Sequence, residues 1–219
     1  MPIGRLSSIQ ERVLVVLAAI QPAWTLTGGG ALVGFHTKHR DTRDLDLFFH
    51  QQPSLGTVVA DAVKLLTDAG FSATPLRSST TFAEVDVRSG NEAVIVDLVA
   101  DPTPVTEPAR HEPIGSTSIL VETRHQLLVN KLCALLSRSE LRDLVDVRVL
   151  LETGGELTRA LADCPKQDAG FSPLTFSWSV KGVAVERLAR ALGWPEDEIR
   201  SIATFRDELV ERVVHASHP

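Results

Sequence analysis

Apolar positions recur along this chain with two different periods, and the switch between them marks its elements. Ile9, Val13, Val16, Leu17 and Ile20 fall three and four residues apart, so residues 8–20 predict an amphipathic opening helix. Residues 24–27 read as a short strand that feeds the triplet Gly28-Gly29-Gly30, after which Ala31-Leu32-Val33-Gly34 reads as a short helical segment. The run Asp44-Leu45-Asp46-Leu47-Phe48-Phe49 alternates instead. Side chains two apart on a strand share a face, so Leu45 and Leu47 enter the core while both carboxylates point the other way. A helix over residues 55–69 follows, closed by Gly70. Strands are predicted over residues 71–75, 80–88 and 93–99, the last two joined through Ser89-Gly90-Asn91 as a hairpin.

Pro102, Pro104 and Pro108 turn residues 101–108 into a connector and place the lobe boundary there. Beyond it a short strand near residues 118–121 leads into helices over 124–136, 140–152, 157–162, 183–192 and 196–214. Gly154-Gly155 and Gly193-Trp194-Pro195 punctuate them, and Pro195 followed by Glu196, Asp197 and Glu198 is a favourable helix start. The aromatic segment 171–178 reads as a loop, either a plug of the core or part of an acceptor or partner surface. The expected architecture is α+β: a small mixed sheet flanked by helices over residues 1–105, then a mainly helical lobe over 106–219 that completes a substrate cleft.

With 219 residues the chain is long enough for a sizeable core. Its longest apolar run, residues 13–20, is too short to span a membrane. The opening Met1-Pro2-Ile3-Gly4-Arg5 lacks a signal-peptide pattern. Cys133 and Cys164 supply neither a zinc site nor a disulfide framework, so a cytoplasmic setting without a membrane partner is the expectation. The net charge of −6 argues against wholesale electrostatic binding of nucleic acid. It leaves room for a local basic patch, and His36, Lys38, His39, Arg40 and Arg43 crowd the loop just before Asp44. That loop is either a solvated turn or a path by which an anionic substrate reaches the acids.

The candidate chemistry lies in residues 25–49. Two carboxylates on one strand face repel each other and lose hydration unless a cation sits between them. Asp44 and Asp46 therefore suit a divalent ion with oxygen ligands, Mg²⁺ or Mn²⁺. Gly28, Gly29 and Gly30 open a helical segment whose backbone N–H groups can cradle phosphates. Together they point to metal-assisted chemistry on a nucleoside triphosphate. Asp97 stands alone in the apolar strand Ala93-Val94-Ile95-Val96-Asp97-Leu98-Val99, and a buried carboxylate is costly unless paired or metal-bound. Glu84 and Asp86 alternate on the preceding strand and rank below Asp97, because that strand reads as half exposed.

Gly28-Gly29-Gly30-Ala31-Leu32, then His39-Arg40, then Asp44-Leu45-Asp46-Leu47 resemble the pattern G-G-[ST]-A-L, H-R, D-[IL]-D-[LF] of the AbiEii-type nucleotidyltransferases. These belong to the DNA polymerase β-like superfamily and include toxins of bacterial toxin–antitoxin and phage-abortive systems. Gly30 departs from the pattern, since a hydroxyl residue is usual there. Lys131-Leu132-Cys133-Ala134-Leu135-Leu136-Ser137-Arg138, followed by Arg142-Asp143-Leu144-Val145-Asp146, is similar to the family's K-x-x-A-L-x-x-R…[KR]-D-x-x-D signature. The resemblance implies a metal-dependent transfer of a nucleoside monophosphate from an NTP to an RNA end, such as a tRNA, or to a protein hydroxyl. It implies Asp44, Asp46 and Asp97 as metal-binding and catalytic acids. It places Gly28, Gly29, Gly30, Arg40, Lys131, Arg138, Arg142, Asp143 and Asp146 about the nucleotide and its phosphates, and a cognate antitoxin among the partners.

Taken without the resemblance, the second stretch is an ordinary amphipathic helix with ion pairs such as Arg142–Asp146. If one helix were continuous, Lys131, Arg138 and Arg142 would form a single stripe. Two other functions share these features. One is a small-molecule nucleotidyltransferase of the aminoglycoside-modifying kind; the other is a nucleotide-binding or interaction module without catalysis.

Overall fold

The alternating run through Asp44 becomes the middle strand of a seven-stranded mixed sheet in the computed structural model, which describes residues 6–216. Residues 1–5, read above for a signal peptide, lie outside the described residues, as do 217–219. The chain divides into two compact units at Thr123/Arg124.

The first unit opens with α1 (Ser8–Leu17), whose N-cap Ser7 closes a capping box with Gln10. Strand β1 (Thr25–Thr27) runs into the short helix α2 (Gly28–Ala31) and a π-helical turn (Leu32–His36). Strand β2 (Asp44–His50), helix α3 (Val58–Asp68), and strands β3 (Ser72–Ser78), β4 (Phe82–Ser89) and β5 (Glu92–Asp101) follow, then the hairpin β6 (Arg110–Ile114) and β7 (Thr117–Val121). The sheet order is β3-β4-β5-β2-β1-β7-β6, with β2–β5 and β1–β7 parallel and the remaining pairs antiparallel. Leu45, Leu47 and Phe49 of β2 are buried, as are Val94, Val96 and Leu98 of β5 and Ala83, Val85 and Val87 of β4. All lie on the face against which α1 and α3 pack. The opposite face carries Asp44, Asp46, Phe48 and His50, all half-buried.

The boundary lies past the proline-rich connector, not at it. Residues 110–121 return as β6 and β7, and β7 pairs with β1, so they finish the sheet that residues 25–101 begin. Strand β6 escapes the hydropathy pattern because its sequence, Arg-His-Glu-Pro-Ile, is mostly polar. It sits at the sheet edge, where Pro113 removes no ladder bond from a second neighbour.

The second unit is helical: α4 (Arg124–Arg138), α5 (Leu141–Glu152), α6 (Leu157–Gln167), α7 (Pro173–Lys181), α8 (Val185–Ala191) and α9 (Glu196–Ala216). Its core gathers Leu128, Leu132, Leu135, Leu144, Val147, Phe176 and Leu209. The aromatic segment expected as a loop is helix α7. Ser172 caps it by accepting from the Thr175 N–H, and Pro173 occupies the first turn, where its missing N–H costs nothing. Phe171 and Phe176 are buried against each other, whereas Leu174 and Trp178 face solvent, Trp178 at 81% exposure.

Candidate active site

Three strands bring the acids onto one face. Asp46 of β2 lies opposite Asp97 of β5, and Asp44 lies opposite Ile95. Across the β4–β5 hairpin, Glu84 lies opposite Asp97 and Asp86 opposite Ile95. Neighbouring strands are about 4.8 Å apart, so Glu84, Asp97 and Asp46 form one row, continued on β1 by Thr27. The next row is apolar for most of its length: Phe82, Val99, Phe48, then Thr25 and Leu120.

Glu84 is thus a closer neighbour of Asp97 than its half-exposed strand suggested. The signal was present in the hairpin: pairing Ser89 with Glu92 across the Gly90-Asn91 turn sets every opposite pair, including Glu84 with Asp97. Arg77 of β3 forms an ion pair with Glu84 and lies over the Phe82 ring, 5.6 Å from its centroid. Asp86 pairs with Arg88 at 2.7 Å.

The glycine loop closes onto this row. Gly28 has φ +57, a left-handed conformation that glycine adopts without penalty. A Cβ on Gly28 would lie 2.0 Å from Asp46 Oδ2, so any side chain there would displace the carboxylate. A Cβ on Gly29 would stand 2.6 Å from Thr42 Oγ1 and 3.3 Å from Arg40 Nη2. Gly30 differs: its Cβ would point at Leu26 and Leu45, at 3.1 and 3.2 Å. The glycine that replaces the usual hydroxyl residue is therefore packed against the core, with no room for a larger group unless those leucines give way.

The Thr42 hydroxyl donates to Asp44 Oδ1 at 2.6 Å, and the Thr42 carbonyl accepts from the Gln10 side-chain amide at 3.0 Å. Thr42 and Gln10 position the first acid, yet neither stands out in the sequence, because their link crosses 32 positions. The basic loop is mostly self-engaged. His36 Nε2 contacts the Glu122 carbonyl at 2.7 Å, His39 Nδ1 contacts the Thr37 hydroxyl at 2.8 Å, and Arg40 donates to the Asp41 carbonyl at 3.0 Å.

Asp97 Oδ1 is buried with no hydrogen-bond partner. Burial first, then the charges of Glu84 and Asp44, push this carboxyl from 3.8 up to about 6, while Arg77 pulls the other way. A lone acceptor oxygen among crowded carboxylates is what a hard divalent cation would relieve, and the donors are all of the oxygen type that Mg²⁺ or Mn²⁺ takes. Among the described residues no three such side chains are already gathered as a ligand cluster. The fit rests on donor type, strand register and the orphaned oxygen.

A carboxyl whose folded pKa is raised binds its proton more tightly in the folded chain, so ionising it costs stability. That cost is absent below the unfolded value of 3.8 and grows as pH rises through about 6. Asp97→Asn should therefore raise the melting temperature at pH 7 by a few degrees, equivalent to roughly 1 kcal/mol once solvent screening of a half-buried group is allowed for. The gain should vanish near pH 4 in thermal melts across pH. A mutant no more stable at pH 7 than at pH 4, relative to wild type, would remove the case for a strained Asp97.

In the helical unit Lys131, Arg138, Asp143 and Asp146 come together, and Arg142 does not join them. Lys131 Nζ lies 2.9 Å from Asp143 Oδ1 and 2.8 Å from Asp146 Oδ2, with both aspartates at 0% exposure. Arg138 grips Asp143 through Nε at 2.7 Å and Nη2 at 2.9 Å. Burial pushes the Asp143 carboxyl up, but the Arg138 hydrogen bond and the Lys131 charge overcome it and hold it below the ordinary range. The single stripe is broken because α4 ends at Arg138 and Ser139 turns left-handed at φ +52. Arg142 begins a separate helix and pairs with Glu140 at 3.5 Å, not with Asp146.

A family model described as nucleotidyl transferase AbiEii toxin, type IV TA system, matches residues 12–190. Comparison with curated proteins gives no match. Among solved structures, MenT4, a nucleotidyltransferase toxin from Mycobacterium tuberculosis, is similar with a TM-score of 0.63 at 15% identity, over 96% of this chain and 82% of that one. JHP933 from Helicobacter pylori is similar with a TM-score of 0.55 at 15% identity, over 94% and 91%. At such identity these likenesses establish the fold alone. No helix among the described residues is long and apolar enough to cross a membrane.

Proposed function

The chain belongs to the AbiEii nucleotidyltransferase toxin family, and from that premise we propose that it transfers a nucleoside monophosphate from an NTP to a hydroxyl at an RNA end. The observation that carries this reading is the carboxylate row, Asp46 opposite Asp97 with Asp44 one step along, closed at its edge by Gly28. Asp44, Asp46 and Asp97 would hold Mg²⁺ or Mn²⁺. When bound, such an ion draws charge from the phosphate oxygens and acidifies the attacking hydroxyl.

The chain's own residues do the rest. The Gly28 and Gly29 backbone, with Arg40 beside it, receives the β- and γ-phosphates. Asp97, whose Oδ1 has no hydrogen-bond partner, is suited to take the proton of the acceptor hydroxyl. The acceptor oxygen bonds to the α-phosphorus as the bond to the β-phosphate oxygen breaks, and pyrophosphate leaves. Thr42 keeps Asp44 oriented. We read Lys131, Asp143 and Asp146 as the internal brace of the helical unit, since Lys131 would have to leave two carboxylates before it could meet a phosphate. As a member of a toxin family the chain would have a cognate antitoxin among its partners.

The test is incubation with labelled NTPs, Mg²⁺ and pooled tRNA. Wild type should move label into RNA, and Asp44→Ala with Asp46→Ala should not. Label transfer unchanged in the double mutant, or absent from the wild type while a small amine-bearing acceptor is modified, would overturn this reading.

A further inference from the structure

Cys133 and Cys164 stand 31 positions apart in the sequence, yet the helical unit sets them face to face on α4 and α6. These two helices pack against each other. Val129 and Cys133 lie one turn apart on α4, and Ala160 and Cys164 lie one turn apart on α6. Each sulfur reaches the backbone beside the other. Cys133 Sγ lies 3.8 Å from the Cys164 carbonyl oxygen. Cys164 Sγ lies 3.9 Å from the Val129 carbonyl oxygen, the group that receives the Cys133 N–H within α4. Both cysteines are free thiols.

The two thiols are not equivalent. Cys164 is buried at 0% exposure, whereas Cys133 is only half-buried. An oxidant arriving from solvent therefore meets Cys133 first. Ionisation favours the same order. Once Cys133 loses its proton, the Cys164 S–H can turn towards it, which lowers the Cys133 pKa although burial and the Asp168 charge oppose the shift. That same bond and burial, then the charges of Asp163 and Asp168, push the Cys164 thiol up. The thiolate is the form that attacks a peroxide, and an accessible thiol of lowered pKa beside a second thiol is the arrangement that redox chemistry selects.

We propose that Cys133 and Cys164 form a redox modification site, in which a hydroperoxide oxidises Cys133 and Cys164 then closes a disulfide between α4 and α6. With hydrogen peroxide, the Cys133 sulfur attacks one oxygen as the O–O bond breaks. The departing hydroxide takes up the proton that Cys133 gave up and leaves as water, and Cys133 becomes a sulfenic acid. The Cys164 sulfur then attacks the Cys133 sulfur as the S–O bond breaks, and the second hydroxide leaves as water with the Cys164 proton. Two thiols lose two hydrogens and two electrons, and one peroxide becomes two waters. The bond closes a ring that contains α5 and does not depend on the transfer reaction proposed above.

The test treats the folded full chain with one equivalent of hydrogen peroxide and reads intact mass under denaturing, non-reducing conditions. Wild type should lose two hydrogens while remaining a single chain, and both thiols should disappear from maleimide labelling. Digestion should yield the peptide holding Cys133 joined to the peptide holding Cys164, and dithiothreitol should separate them. Cys164→Ser should stop at the sulfenic acid, which dimedone traps at Cys133. Cys133→Ser should leave the Cys164 thiol unreacted at the same dose. The cross-linked chain should melt about 5 °C above the reduced one, because the ring restricts the unfolded chain.

The wild-type measurement needs no variant, so it decides the matter even where a serine mutant folds poorly. Wild type that stays reduced, gains oxygen at Cys133 while the Cys164 thiol persists, or joins two chains overturns the site. Equal oxidation of Cys164 in Cys133→Ser overturns the order of attack. A cross-linked chain that melts below the reduced one shows that α4 and α6 must separate before the bond forms, which overturns the native pairing of the two thiols.

Discussion

Lys131→Met should unfold the helical unit under conditions where wild type is stable, with a loss of about 3–5 kcal/mol. Asp143 and Asp146 are both fully buried, and Lys131 Nζ bridges them at 2.9 and 2.8 Å. Removing the cation takes a partner from two fully buried carboxylates, and a buried charge is costly when its pairing is lost. Arg138 still holds Asp143. The natural control is Lys131→Met with Asp143→Leu and Asp146→Leu, which removes the buried charge altogether. Replacing a buried ion set by apolar groups of similar size is often neutral, so the triple mutant should recover most of the stability. Denaturant melts of the three proteins decide it. A single mutant that stays folded but loses NTP binding would restore Lys131 to the phosphate site.

The same brace predicts an acid limb. The Asp143 carboxyl is held below its ordinary value, so its stabilisation is fully present above pH 3.8 and is lost as pH falls below that. This runs opposite to Asp97, whose strain disappears on acidification. One unit should therefore be weakened by acid through Asp143, while the other loses a liability through Asp97.

The elements that could be read from sequence were those whose periodicity carries their burial. Leu45, Leu47 and Phe49 alternate cleanly, and the Asp44–Asp46 face followed from them with the correct register. The glycine triplet could be located, but the separate tasks of its members could not. Gly28 clears Asp46 and Gly30 clears Leu26 and Leu45, and these contacts depend on how β1 pairs with β2. Strand β6 and helix α7 were missed for opposite reasons. The first is too polar for its apolar side to register, and the second is aromatic on both its buried and its exposed sides. Lys131 could be placed on a helix from its spacing, but nothing local reveals that its charge turns inward to Asp143 and Asp146. Motifs that name residue types state what chemistry a chain can assemble; burial and register decide which of those residues take part.

Gly28→Ala should cost at least about 10²-fold in transfer while leaving the sheet folded. Two penalties meet at this position, and they separate cleanly. The first is backbone: an alanine at φ +57 pays roughly 1–2 kcal/mol that glycine does not. The second is contact, since the new methyl would lie 2.0 Å from Asp46 Oδ2 and 2.8 Å from its Cγ. The carboxylate can swing aside, so the fold survives, but its displacement takes an acid that we propose as a metal ligand away from its place opposite Asp97. Combining Gly28→Ala with Asp46→Ala tests the division. In that background the contacts with Oδ2 and Cγ are gone and only the Asp46 Cβ position at 3.3 Å remains, so the stability change should shrink towards the backbone penalty, and the two mutations should be non-additive. Additive stability losses would show that loop and carboxylate do not touch in solution. Gly28→Ala with wild-type transfer would show that the close approach of the glycine backbone to Asp46 is not what aligns the site.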